Sequence, residues 1–483
     1  METRKLTPKT DPKVVPEKTK AELSTEIHAK KAPELNLRPV NTDAEFERFL
    51  GQFTSYETLK SFHYGQETMK LERMEDLMRD LGNPHLATRA IHIAGTKGKG
   101  STCLILESLL AAGGHSVGAY LSPHVEFLRE RIRVHGHPIA EKVLCATLNG
   151  ILPVLERRHA LGAHHFPTFF ELMTALSMAQ FDHERVDYAI YEVGLGGRLD
   201  ATNVVRPCLT AITSIGLEHT EKLGDSLAAI AGEKAGIVKQ GIPCVLGPSL
   251  APEARDVITE KARSCNAPLV SVSPERVRFD HGDTSLEPCL VIEPQGWRIP
   301  CGPLHGPGLR DDLAIALTLW EGTLETQGVT PRRETVVSAV ESLERHPLPG
   351  RVELVQDSPL VILDGAHTEE SIASLRKAVT ELAVPSPRTL LLSVASDKRA
   401  EAILETLEGI ATEIFFTRCD TVRSLDPCFL RDKREELGGD SSTRVHVVEN
   451  PLEAFRAAQA LGHPVIVTGS LYLAGAIRRE VVQ

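Results

Sequence analysis

Apolar residues recur three and four positions apart in "FERFLGQF" and "LERMEDLMRDL", between Asp43 and Gly82, a spacing that predicts amphipathic helices. The period then changes. "RAIHIAG" is a short apolar run of the kind a buried strand shows, and it enters a glycine-rich stretch, "AGTKGKGST", from Ala94 to Thr102. "STCLILESLLAAGG" follows as a helix that stops at glycines. Further strands are predicted in "VDYAIYEVGLGG", "CLTAITSIG" and "IPCVLG", with helical patterns such as "SLAAIAGEKAGIVK" between them. Strands alternating with helices imply an α/β fold with a doubly wound, mostly parallel sheet. The pattern breaks at "ERHPLPGRVE", where prolines and a glycine interrupt a helix, and restarts with "LVILDG", "RTLLLSVAS", "TEIFFTR", "RVHVVEN" and "PVIVTGS". A boundary near Pro347 gives a large N-terminal unit, residues 41–346, and a smaller α/β unit, residues 347–483. No internal repeat is visible.

A chain of 483 residues exceeds what one hydrophobic core usually serves, in keeping with two or three domains. Its 42% hydrophobic and 25% charged residues are ordinary for a soluble globular protein. A formal net charge of -11 argues against nucleic acid as a partner, while leaving room for a local basic pocket that takes an anionic substrate. Nine dispersed cysteines without a C-x-x-C pair point to reduced thiols and a cytoplasmic location. No apolar run is long enough to span a bilayer, so no membrane association is expected. The N-terminal segment lacks the apolar core of a signal peptide and is too acidic and arginine-poor for a transit peptide. Residues 1–40, rich in Lys, Glu, Thr and Pro, are expected to be a disordered extension, being unable to bury enough apolar surface to order themselves.

Chemistry enters with the glycine loop. The standard phosphate loop is G-x-x-x-x-G-K-[ST]. Here Gly98 and Lys99 fit its end, but Gly100 takes the hydroxyl position and Ser101 comes one residue late. Glycines at 95, 98 and 100 also run in the wrong order for a dinucleotide fingerprint, which disfavours a Rossmann dehydrogenase. Set between a strand and a helix, the loop reads as a nucleotide cradle rather than a turn with solvated lysines. Backbone N–H groups and the helix N-terminus would bind phosphate, Lys99 would neutralise charge, and Ser101 would reach magnesium.

Glu192 stands at the carboxyl end of a buried strand, where open α/β sheets bind ligands, with Gly194, Gly196 and Gly197 allowing close approach. A carboxylate there can hold magnesium against ATP phosphates, whereas a lone strand-end Glu more often caps the next loop. "CLTAITSIG" delivers Glu218 and His219 to the same sheet edge. Lys234, in "AGEKAGIVK", is either a surface helix lysine or, if buried near two metal ions, a neutral amine that carbon dioxide converts to a carbamate. Arg351 in "LPGRVE", and Asp364 and His367 in "ILDGAH", are individually weak signals that together can close over a nucleotide held by the first unit.

In this order the motifs resemble the folylpolyglutamate synthase and dihydrofolate synthase family of muramyl-ligase-like, ATP-dependent amide-forming enzymes. The resemblance spans about Phe46 to Arg478 and rests on "HIAGTKGKGST", "LSPHVEFLRERIRVHG", "FELMT", "YEVGLGGRLDATN", "EHTEKLGDSLAAIAGEKAGIVK", "LPGR", "LDGAHTEES" and "VTGSLYLAG". It implies an N-terminal P-loop ATPase domain and a C-terminal Rossmann-like domain. It also implies that Gly95, Thr96, Gly98, Lys99, Gly100 and Ser101 bind ATP phosphates, with Arg351 and Asp364 contacting ATP from the linker and second domain. Ser122, Glu192 and His219, together with Ser101, match magnesium ligands for two ions. Lys234 matches a carbamylated lysine, and Lys99, Lys234 and His219 are the candidate catalytic residues.

Three features depart from the commoner pattern. Glu218 replaces the aspartate that usually precedes the metal-binding histidine. Gly308, Leu309 and Asp312 stand where the family carries His-Gln and then Asn on the adenine side. "GTKGKGS" and "DGAHTEES" are nearer the eukaryotic-type pattern than the bacterial "GTNGKGS" and "DGAHNP", which leans towards tetrahydrofolates. The implied reaction is addition of L-glutamate to the γ-carboxylate of folate through an acyl phosphate, by a monomer. Glutamate addition to dihydropteroate, alone or as a second activity, is the near alternative. A muramyl-peptide ligase leaves "SPH" and "LDGAH" unaccounted for, and a nucleotide-binding module without ligase activity leaves the second α/β unit unexplained. No G-x-S-x-G elbow is present.

Overall fold

Strands that are apolar along their length need helices on both faces, and the central strands of this protein are buried along almost all of theirs. The computed structural model describes residues 35–57, 64–65, 68–282, 288–420 and 423–482; the extension expected over residues 1–34 lies outside the described residues. The first sheet contains β1 (Arg89–Ala94), β2 (Val117–Tyr120), β3 (Ile132–Val134), β4 (His137–Pro138), β5 (Tyr188–Glu192), β6 (Pro207–Ile212), β7 (Cys244–Leu246) and β8 (Leu269–Ser271). Its order is β4-β3-β2-β5-β1-β6-β7-β8. All pairings from β2 to β8 are parallel, and β3 and β4 add an antiparallel edge.

The chain leaves β1 for β2 on one side and reaches β6 on the other, with β5 later inserted between β1 and β2. Strand order therefore reverses at β1. A doubly wound sheet opens a crevice beyond the carboxyl ends of its strands at such a point. The glycine loop leaves β1 directly into it.

A three-stranded antiparallel sheet, β9 (Val277–Asp280), β10 (Cys289–Ile292) and β11 (Trp297–Pro300), follows. The helix Arg333–Arg345 then ends at His346, ahead of the proline-rich linker. Beyond it lie β12 (Glu353–Asp357), β13 (Leu360–Leu363), β14 (Thr389–Leu392), β15 (Glu413–Phe416), β16 (Arg444–Val447) and β17 (Val465–Thr468). These form a second sheet of order β12-β13-β17-β14-β15-β16, parallel except for the β12–β13 pair.

One hydrophobic cluster runs from Ile91 and Ile190 in the first sheet, through Leu313 and Trp320, to Leu390 and Ile466 in the second. The helix Pro307–Glu325 carries this contact, and at its start Gly306 and Gly308 lie against Ala378 and Ser374 of the helix Glu369–Glu381. A side chain at Gly306 would place its Cβ 2.8 Å from that of Ala378. The chain also packs ahead of Asn41. Val40 is buried and exchanges two hydrogen bonds of 2.9 and 2.8 Å with the Asn149 amide, so the extension expected to run to residue 40 is ordered at its end.

His92 lies fully buried in the middle of β1, with Nε2 2.8 Å from the Thr202 hydroxyl. That hydroxyl donates to Asp200, so it accepts from His92, which leaves the imidazole neutral with Nδ1 unpartnered. Burial, with Lys239 nearby, pushes the His92 pKa down to about 3. The unfolded chain takes up a proton at this residue near its ordinary pKa of about 6.5 while the native state does not, so native stability falls as pH drops from about 6.5 towards 3. His92→Leu is expected to flatten the pH slope of the unfolding free energy in this window by up to about 1.4 kcal/mol per pH unit, measured by urea denaturation. An unchanged slope would assign the acid sensitivity elsewhere.

Candidate active site

The glycine loop is built onto the strand beside it. The Thr96 N–H donates to the Ser214 carbonyl at 2.8 Å, and the Lys97 N–H to the Ser214 hydroxyl at 2.8 Å. Thr213 Oγ1 donates to the Lys97 carbonyl at 2.6 Å, and the Gly216 N–H to Thr96 Oγ1 at 3.0 Å. Contact this close excludes side chains: a Cβ on Gly95 would sit 1.8 Å from Thr213 Oγ1. Gly98, at φ 83, would place a Cβ 2.1 Å from Asp312 Oδ1. Only glycine adopts that backbone in that space.

Gly98 also starts the helix Lys99–Ala112, and no side chain caps it. Its first-turn N–H groups are left for an anion. Glu192, the last residue of β5, is buried beside this helix end; its Oε2 accepts from the Ser122 N–H at 2.9 Å, and its Oε1 lies 4.0 Å from Lys99 Nζ. Burial pushes the Glu192 pKa up, against the pull of Lys99, the Ser122 amide and Arg351. Measured from an ideal Cβ on Gly100, Glu192 Oε2 is 3.3 Å away and Arg351 Nη2 is 3.2 Å away. The linker guanidinium thus reaches the same helix end as Lys99 and Glu192.

Lys234 ends the helix Leu227–Lys234 and is 5% exposed, with Nζ donating to the Gly95 carbonyl at 2.9 Å. Burial, reinforced by Lys99, pushes its pKa down to about 7. Asp312 is buried against the loop and accepts from Thr102 Oγ1 at 3.4 Å; burial and Asp311 push its carboxyl well above the usual range. Ser101 is buried at the same helix start.

Asp364 is placed differently from a direct phosphate contact. Its oxygens accept from the Val352 and Ala366 N–H groups, both at 2.8 Å, and burial pushes its pKa up to about 6. It fixes the turn in which Val352 takes φ 48 and Arg351 Nη1 donates to the Pro349 carbonyl at 2.7 Å. His219, at φ 54, is exposed at the start of a four-residue helix. Its charged neighbours are Glu218, Lys398, Lys222 and Glu221, whereas those of Glu192 are Lys99, Arg351 and Arg131. The structure therefore gathers Lys99, Ser122, Glu192 and Arg351 at the helix end, and sets His219 in a second charged group. Among the described residues, no three His, Cys, Asp or Glu side chains cluster as a metal site.

Sequence reasoning named Glu218, His219 and His367 separately but missed Lys97 and Lys398 as their partners. Lys97 Nζ lies 2.9 Å from Glu218 Oε1 and 3.0 Å from His367 Nε2, and Lys398 Nζ lies 3.3 Å from the same Glu218 oxygen. Lys97 sits inside the loop motif and carried a signal; Lys398 carried none. Asp200 was also passed over. It is completely buried, with Oδ2 accepting from the Leu195 N–H at 2.9 Å and Oδ1 from the Thr202 N–H at 3.0 Å, and it holds the glycine turn after Glu192.

Known proteins match this chain along nearly its whole length. The family described as "Mur ligase, glutamate ligase domain" matches residues 350–471. The dihydrofolate synthase/folylpolyglutamate synthase of Bacillus subtilis is 34% identical over 438 residues, covering 89% of this chain and 100% of the relative. A folylpolyglutamate synthase of Lacticaseibacillus casei is 31% identical, covering 88% of this chain and 97% of the relative. Among solved structures, Mycobacterium tuberculosis folylpolyglutamate synthase complexed with ADP superposes with a TM-score of 0.79 at 29% identity, over 91% of this chain and 98% of that one. Escherichia coli FolC in complex with DHPP and ADP gives 0.74 at 26% identity, over 92% and 98%.

Asp200→Asn must turn an amide NH₂ towards a buried N–H donor, and is expected to lower the unfolding free energy by about 3 kcal/mol in urea denaturation. A midpoint equal to wild type would show that the turn after Glu192 is held by other contacts.

Proposed function

The chain belongs to the folylpolyglutamate synthase and dihydrofolate synthase family of Mur-type ligases, and we propose that it joins L-glutamate to the γ-carboxylate of a reduced folate at the expense of ATP. One observation carries this reading to the residues: Lys99, Glu192 and Arg351, from the loop, a strand end and the linker, meet at an uncapped helix N-terminus. Such an arrangement suits a polyphosphate whose terminal group is to be transferred.

ATP phosphates lie along Gly95, Thr96, Gly98 and Gly100, with Lys99 and Arg351 neutralising charge. A γ-carboxylate oxygen of folate bonds to the terminal phosphorus as the bond to ADP breaks. The amine of glutamate then bonds to the acyl carbon and expels phosphate, losing a proton as the amide forms. Lys99 and Arg351, fixed before substrate arrives, stabilise charge spreading over the phosphoryl oxygens without reorganising. No side-chain nucleophile is needed. Asp364 acts by holding the Arg351 turn, and Asp312 by pressing on the loop.

The donor set fits magnesium. Glu192 is a buried carboxylate with a single backbone donor, and among the described residues no cation comes closer than Lys99 at 4.0 Å. Ser101, Ser122, Glu192 and a carbamylated Lys234 would hold the ion, whereas His219, expected as a further ligand for a second ion, stands in the other charged group. When bound, magnesium neutralises the triphosphate and polarises the transferred phosphoryl group. The depressed pKa of Lys234 supports the carbamate, because a neutral amine is the form that attacks carbon dioxide.

Glutamate addition to dihydropteroate at the same site is the second reading, favoured by the double name of the Bacillus subtilis relative. Residues 41–346 and 347–483 are taken as the two closing lobes, hinged at the linker around Pro347. A cytoplasmic location agrees with nine free cysteines, and the chain is taken as a monomer; among the described residues no helix is long and apolar enough to cross a membrane.

Purified protein is expected to release ADP in a glutamate-dependent manner, faster with tetrahydrofolate than with dihydropteroate. Lys99→Ala and Glu192→Gln should each cut kcat by about 100-fold or more while leaving the circular dichroism spectrum unchanged. Turnover with neither acceptor would overturn the reading. Separately, ¹³C-bicarbonate should give a carbamate NMR resonance that grows from pH 6 to 8, as Lys234 becomes neutral above its pKa of about 7, and that vanishes in Lys234→Arg. A resonance that persists in the variant assigns the carbamate to another amine.

A further inference from the structure

Two positions at which the chain departs from the commoner bacterial residues, Lys97 and Glu218, meet in space. One oxygen of Glu218 lies 2.9 Å from Lys97 Nζ, 3.3 Å from His367 Nε2 and 3.3 Å from Lys398 Nζ. Lys97 and Glu218 belong to the first lobe; His367 and Lys398 belong to the second. His367 is fixed in this orientation by Nδ1, 2.7 Å from the Gly365 carbonyl, which turns Nε2 towards Lys97 Nζ at 3.0 Å, a further contact between the lobes, with the Glu218 oxygen just beyond. The Glu218 and Lys398 side chains are only 12% and 16% exposed, which limits screening by solvent. Lys398 has one other acidic partner, Asp397 at 3.4 Å, which is itself largely exposed.

We propose that Glu218 is a positioning residue, the common acceptor that latches the second lobe onto the phosphate loop, and that Lys97 and Glu218 act as a matched pair. An aspartate at 218 is one methylene shorter and draws its oxygens back from the second-lobe nitrogens. Removing the carboxylate is worse than losing one contact, because two half-buried ammonium groups then face each other across the lobes. With the latch in place, Lys97 is occupied by Glu218, which leaves Lys99 as the loop lysine free for phosphate. The inference rests on the ligase reading in one respect: a closed second lobe keeps water from an acyl phosphate, so an open one lets ATP be spent without an amide product.

The experiment compares wild type with Lys97→Asn, Glu218→Asp, Glu218→Gln, Lys398→Met and the Lys97→Asn/Glu218→Asp double variant. ADP and amide product are counted in the same reaction. Each single variant is expected to lose about tenfold in kcat/KM for glutamate and to release more ADP than amide. The double variant should lose no more than the worse single one, a coupling of about fivefold or greater. Losses that multiply, with ADP and amide still equal, overturn the latch while leaving the ligase reading intact. A wild type that makes no amide sinks the ligase reading instead. The latch is then decided by X-ray scattering: Glu218→Gln should have a larger radius of gyration than wild type, and equal radii overturn it.

Discussion

An anion held by backbone N–H groups must find them already in place, because a loop that orders on binding spends part of the interaction on its own entropy. Here the amides are set before any ligand arrives. Four hydrogen bonds tie Thr96 and Lys97 to residues 213–216 beyond β6, and the uncapped helix start follows immediately. The rest of the site is arranged around that fixed point. A protein of net charge -11 gathers Lys97, Lys99, Lys234, Arg351 and Lys398 about the loop, opposed by Glu192 and Glu218. Local sign, rather than total charge, decides what such a crevice attracts.

Three buried carboxylates show how environment divides labour among similar residues. Asp200 is fully engaged by the Leu195 and Thr202 N–H groups and the Thr202 hydroxyl, and its function is to shape a turn. Asp364 has a backbone donor on each oxygen and shapes the Arg351 turn. Glu192 has one backbone donor and a lysine at 4.0 Å. A buried carboxylate so thinly compensated is costly unless a cation completes it. The difference lies in the count of donors, and it supports the proposal of Glu192 as the ion-binding member without reference to any relative.

The strand, glycine loop and helix over residues 89–112 were legible because hydrophobic period and turn chemistry are local. Strands β13 to β17 of the second sheet were legible for the same reason, whereas β12, polar at Glu353, Gln356 and Asp357, was not. β9 to β11 were not: their pairing is a matter of cross-strand contacts, and strand residues such as Arg278 and Arg298 face solvent and break up the apolar run. In the site, Lys99 and Glu192 followed from position after a strand. The role of Asp364 did not, since only coordinates reveal that both its oxygens are taken by backbone. Lys398 was invisible because its partner is 180 residues away and its own surroundings carry no motif.

The lobes are joined by two kinds of contact with different physics. Away from the site, the helix Pro307–Glu325 packs against Glu369–Glu381 through glycine-to-alanine contact, an apolar core and the Arg310–Glu381 pair at 2.7 Å. Apolar packing of this sort is short-ranged and indifferent to the charge of a ligand. At the site, the lobes meet through Lys97, Glu218, His367 and Lys398, whose balance depends on every charge nearby. The seam can therefore act as the fixed axis while the charged contact responds to what binds. Arg351, on the turn between them, moves with neither element freely, because Asp364 anchors its turn to the second sheet and the Gly365 N–H donates to the Gly350 carbonyl at 2.8 Å. Under the proposed function, a guanidinium held to the second lobe but reaching the first-lobe helix end would make nucleotide binding and lobe position a single equilibrium.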